Sequence, residues 1–145
     1  MGVAAAFMDD AKREVVSSWL IKARNDLDTA RQIATLPDGH LDVAIYHCQQ
    51  AAEKALKGFL AYHDRSLERS HDIERLVTQA SKHESKFTDW SEAAATKTPY
   101  ATAYRYPGES VVLEPTRSEF DEALNIATAL MRFVFSLLPP DVQPT

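Results

Sequence analysis

The stretch Tyr46–His63, YHCQQAAEKALKGFLAYH, decides the fold. Ile45, Cys48, Ala52, Ala55, Phe59 and Leu60 recur at three- and four-residue steps, the repeat that lines up one face of an α-helix. The alanines in that stripe leave room for a neighbouring helix to come close. A second helix is therefore read over Leu41–Tyr62. Upstream of it, PDGH (Pro37–His40) carries strong turn chemistry and ends a first helix over Asp9–Leu36. That helix is expected to bury Val15, Trp19, Ala23, Leu27, Ala30 and Ala34.

Downstream, the polar connection HDRSLER leads to Ser70, read as the N-cap of a third helix over His71–Lys82 that buries Ile73, Leu76, Val77 and Ala80. A short fourth helix is expected over Ser85–Thr96, with Phe87, Trp90 and Ala94 inward. YATAYRYPGESVVLEP is the least helical stretch, and Tyr106-Pro107-Gly108 is a turn. Thr116-Arg117-Ser118-Glu119 is a capping box that opens a last helix running to Leu138, with Phe120, Leu124, Ala127, Met131 and Val134 inward. PPDVQPT reads as a frayed tail. Long helices on short connections predict an all-α, up-and-down four-helix bundle with a short additional helix, in a single domain over 1–145 with its core at about 10–138.

Composition bounds the function. The 145 residues hold 16 Lys and Arg against 21 Asp and Glu, a net charge of −5, which opposes a whole-surface grip on duplex nucleic acid. A local basic patch is still compatible with one nucleotide or a short RNA. The lone Cys48 excludes an internal disulfide and suits a reducing cytoplasm. No secretory signal is read at the start, and the most apolar run, LNIATALMRFVFSLL, is too short and too polar to span a bilayer. A soluble cytoplasmic protein without membrane association is expected.

Three polar groupings stand out. His63, Arg65, Arg69, His71 and Arg75 gather at the junction of the second and third helices. Arginine is a forked, permanently charged phosphate donor, and histidine moves protons near neutral pH. The plainer reading is a solvated loop whose arginines pair with Asp64, Glu68 and Asp72. In AYRYPGES, Tyr104 and Tyr106 flank Arg105, a combination able to stack on a base and hold a phosphate, or simply to plug a bundle end. Gln50, Glu53, Lys54 and Lys57 share one face of the second helix. Glu53 and Lys57 read as a surface ion pair, the set as a whole as either flanking polarity or a ligand strip. Glu68 and His71 have the spacing of one half of a di-iron site but no second pair, and Cys48 lies on the buried stripe. Neither a metal nor a cofactor is expected.

The order WLIKARNDLDTARQI, YHCQQAAEKALKGFLAYH, SHDIERL, YRYPGE and then a helix opening at EPTRSEFDEAL resembles the HEPN domain family, the higher eukaryote and prokaryote nucleotide-binding domain, over about Ser17–Leu138. The resemblance implies a helical bundle, often a homodimer, commonly paired with a minimal nucleotidyltransferase in a toxin–antitoxin type module. It also implies that Asn25 and Asp26 occupy polar positions of the first helix facing a ligand groove. Some members are metal-independent ribonucleases with an arginine and a histidine four to six residues apart. Arg65 and His71 have that spacing but sit after the second helix, ahead of where those members place the pair. The leading expectation is thus a nucleotide- or RNA-binding module rather than an enzyme. Its ligand residues would be Arg65, Arg69, His71, Arg105, Tyr104, Tyr106, Gln50, Lys54, Asn25 and Asp26. The rivals are a ribonuclease using Arg65 and His71, and a purely structural interaction bundle.

Overall fold

The computed structural model describes residues 8–65, 72–93 and 114–144, and every regular element among them is helical. Helix α1 spans Asp10–Thr35 and is capped by the Asp9 side chain, which accepts from the Lys12 amide. Helix α2 spans Leu41–Tyr62, as its periodicity predicts. The short turn between them returns the chain antiparallel, and α2 then packs against α1, against α3 (Ile73–Ser81) and against α4 (Arg117–Ser136). A 3-10 segment, Ser85–Trp90, lies on α3, and a 3-10 turn at Pro140–Val142 returns to α1. These elements form an all-α bundle of the expected kind.

Local chemistry sets most boundaries. Thr116 and Glu119 form the predicted capping box, with Glu119 N–H donating to Thr116 Oγ1 at 3.1 Å and Thr116 N–H to Glu119 Oε1 at 2.9 Å. Arg117 then donates to the Ala34 carbonyl at 2.8 Å, satisfying one of the carbonyls left open at the end of α1 and joining the two helices. Helix α2 ends in a Schellman turn: Asp64 N–H donates to Ala61 O and Arg65 N–H to Leu60 O, both at 3.0 Å. Asp64 takes the left-handed position at φ 58°, tolerable for a short polar side chain.

Two apolar clusters make the core. One centres on Leu20, Leu56, Phe59, Leu76, Val77, Phe87 and Val134, the other on Leu27, Ile45, Cys48 and Phe120. Close helix contact is real: a Cβ on Gly58 would come within 3.0 Å of Leu20 Cδ2 and 3.2 Å of Trp19 Cβ.

Several expectations are corrected. Val16 and Leu20 are buried in place of Val15, which is 50% exposed, and Trp19, which is half-buried. The α1 sequence offers adjacent apolar pairs at both points, and packing against α2 chose the rotation. In α4, Ala123 and Leu130 are buried, while Leu124 and Met131 are half-buried. Asp72 caps α3 through its bond to the Arg75 amide, so the helix starts at Ile73 rather than His71; Ser70 lies outside the described residues. Ser85–Trp90 is 3-10 rather than α, with helical backbone at 91–93; Ala94 lies outside the described residues. The tail is docked rather than frayed: Val142 is fully buried, and the Gln143 amide donates to Phe135 O at 2.7 Å and Leu138 O at 3.1 Å. Finally, Glu53 and Lys57 are buried, not superficial, with Lys57 over the Trp19 ring.

Candidate functional site

From Cys48 to Leu60 every residue of α2 is buried except Gln50 and Lys54. Those two, with His47, follow three- and four-residue steps and so share a face along the α1–α2 seam. Asp26 of α1 enters that seam as a buried acid. Its Oδ1 lies 2.8 Å from His47 Nδ1, and its Oδ2 lies 2.6 Å from Lys54 Nζ. Two charge-assisted contacts from flanking cations or donors are what make a buried carboxylate tolerable at this position.

The geometry dictates proton positions. An ionised carboxylate only accepts, so the His47 proton facing it sits on Nδ1, and Nε2 is the nitrogen left for other partners. Lys54 carries three donors and one of them is committed to Asp26. The Asp26, His47 and Lys54 side chains are 11%, 29% and 23% exposed, so the acid is enclosed while both partners reach the surface. Tyr46 packs edge-on against the His47 ring. Beside this group, Lys57 pairs with Glu53 at 3.5 Å inside the bundle.

The predicted site residues divide by position. Asp26, Gln50 and Lys54 belong to the seam. Asn25, one residue along α1, is exposed and lines a different shallow groove, with Arg13, Ser17, Ile21 and Asp141. Arg65 is placed by the Schellman turn beyond the end of α2, whose last residue, Tyr62, lies roughly 12 Å along the helix axis from Lys54 by helical rise alone. Arg69, His71, Tyr104, Arg105 and Tyr106 lie outside the described residues. His47 was missed by sequence reasoning. The signal was its spacing from Gln50 and Lys54, but its acidic partner is 21 residues away on another helix.

A second histidine group closes the Arg65 end of the bundle. His63 and His83 stack with centroids 4.4 Å apart and an 18° interplanar angle, against Phe59 and beside Phe87. Burial pushes His63 below the ordinary histidine range; His83 and Lys12 push the same way and Asp64 opposes them. Asp64 itself pairs with Lys12 at 3.0 Å.

Two other features bear on ligands. An apolar pocket between α2, α3 and α4, bordered by Cys48, Ile73, Trp90 and Leu130, has a free volume of about 20 Å³, the room of about one water. A nucleotide does not fit it as it stands. Among the described residues no helix is long and apolar enough to cross a membrane, and no group of three or more His, Cys, Asp or Glu is placed to hold a metal ion.

Comparison with known proteins fits this arrangement. A solved structure of TT1696 from Thermus thermophilus is similar at a TM-score of 0.70 and 29% identity, covering 85% of this chain and 98% of that one. ST0689, an archaeal HEPN homologue, is similar at 0.67 and 28%, covering 84% of this chain and 96% of that one. No protein of curated function matches the chain. The HEPN domain profile matches residues 16–137, from within α1 to just past the end of α4, which takes in the Asp26–His47–Lys54 seam: the chain belongs to the HEPN domain family.

Proposed function

We propose that this protein is a cytoplasmic nucleotide- or RNA-binding helical module that works with a minimal nucleotidyltransferase partner in a toxin–antitoxin type system. The observation that carries the ligand part is the seam: on a helix buried everywhere else over its middle, Gln50 and Lys54 stay accessible beside a histidine oriented by an enclosed carboxylate. Lys54 has donors to spare for a phosphate oxygen, and His47 Nε2 faces away from its acid. Because Asp26 balances Lys54, the seam by itself holds one phosphate weakly. Arg65, Arg69, His71 and Arg105 supply further phosphate contacts, Tyr104 or Tyr106 a stacking face, and Asn25 an outer polar contact. The partner assignment is the one that the resemblance of the sequence pattern implies.

The test is a titration of labelled nucleoside triphosphates and short RNA against wild type, Lys54→Met, His47→Gln and an Arg65/Arg69/Arg105 triple alanine variant. Affinity is expected to fall about tenfold or more in the triple variant and less in the single ones, tenfold being about 1.4 kcal/mol. Equally weak binding by all four rejects the reading. Incubating the RNA in EDTA separates the rival enzyme: cleavage that disappears in His71→Ala assigns a metal-independent ribonuclease instead. Co-purification with a nucleotidyltransferase encoded nearby tests the partner.

A further inference from the structure

Gln49 stands apart among the buried polar side chains of α2. Glu53 and Lys57 pair with each other, whereas Gln49 is 6% exposed and no described residue forms a hydrogen bond with its side chain. An amide in that state holds two donors and a carbonyl acceptor without partners, which is costly. Gln49 lines the apolar pocket between α2, α3 and α4. Four of the lining residues are alanines, and their short side chains leave the space. With its open mouth included that space is about 350 Å³, at the low end for small-molecule sites, and its enclosed part has room for about one water. No charged side chain lines it; aliphatic groups, the Cys48 thiol and the Trp90 ring complete the walls.

These walls select an occupant. A buried water makes about three hydrogen bonds, and Gln49 is the one lining side chain that both donates and accepts strongly, so a water in the enclosed part is poorly held. A phosphate or carboxylate finds no cation on these walls. We infer that the pocket is a binding site, separate from the Asp26 seam, for a small neutral molecule that carries a hydroxyl on an aromatic ring. The hydroxyl enters the enclosed part and bonds to the Gln49 amide. The ring lies in the mouth against Trp90 and displaces the weakly held water. Because the walls come from α2, α3, α4 and the Ser85–Trp90 segment, an occupant braces these elements against one another.

Phenol and toluene are the probes, since they share the ring and differ in the hydroxyl. The purified full chain is titrated with each, as wild type and as Gln49→Met, and followed by NMR at the Gln49 side-chain amide and the Val77 methyl groups. Phenol is expected to give saturable shifts at both reporters in wild type and to raise the Tm. Gln49→Met keeps the length of the side chain and removes the unpaired amide, so its Tm should equal or exceed that of wild type. It should weaken phenol binding about fivefold, the loss of one hydrogen bond, and change toluene binding by less than about twofold. Shifts that do not saturate, or that fall away from the pocket, overturn the inference. So does phenol binding that Gln49→Met leaves unchanged, or a loss that is equal for phenol and toluene.

Discussion

Removing the Asp26 carboxylate is the sharpest probe of the seam. The acid is enclosed, at 11% side-chain exposure, and holds His47 at 2.8 Å and Lys54 at 2.6 Å. Breaking a fully buried ion pair by deleting one partner costs about 3–5 kcal/mol. Here the groups left behind, at 29% and 23% exposure, recover part of their hydration, which brings the expected cost of Asp26→Ala to about 2–3 kcal/mol. For a chain of this length that is a fall in Tm of about 5–10 °C. Lys54→Met keeps the aliphatic stem and leaves Asp26 its histidine, so it should cost about 1 kcal/mol. The double variant should cost less than the sum by about 1 kcal/mol, since the Asp26–Lys54 contact is then lost only once. Thermal and urea unfolding followed by circular dichroism measure all three. Side-chain nitrogen NMR adds an independent readout: the Nδ1–H tautomer of neutral His47 should be held in wild type and released in Asp26→Ala. An Asp26→Ala variant within about 0.5 kcal/mol of wild type, strictly additive with Lys54→Met, would show that the seam is ordinary surface and refute the reasoning.

Other outcomes are expected. Gly58→Ala should lose about 1 kcal/mol despite alanine's better helix propensity, and Gly58→Val about 3 kcal/mol, because Trp19 Cβ is anchored to the backbone of α1 and cannot yield; urea denaturation reads both. Val142→Ala should cost about 2 kcal/mol, and a chain ending at Pro139 at least as much, whereas a frayed tail would show no change in Tm. Because folding lowers the His63 pKa, the unfolded chain binds the proton more readily. His63 therefore supports the fold above its ordinary value of about 6.5 and weakens it as pH falls from there toward the lower folded value. Water screens a half-buried ring and keeps the loss small, and His63→Leu should flatten the Tm profile over that window.

Much of the architecture was legible because it is local. Helix α2 matched its periodicity end to end, and Thr116 and Glu119 announced α4 by a reciprocal bond three residues long. Family resemblance drew attention to Asn25 and Asp26, and charge pattern to Gln50 and Lys54. Neither revealed that Asn25 faces away from the seam or that His47 completes it.

What the amino-acid order determined by itself is the set of helices, their caps and the approximate faces they bury, since each depends on groups within one or two turns. Which of Val15 or Val16 enters the core, whether Glu53 and Lys57 see water, and whether the tail docks were decided by tertiary packing alone. Neighbouring side chains on a helix differ by about 100° of rotation, and periodicity tolerates either choice. Only the close approach of α1 and α2 at Gly58, the carboxylate of Asp26 seeking donors across the seam, and the space left for Val142 resolve it.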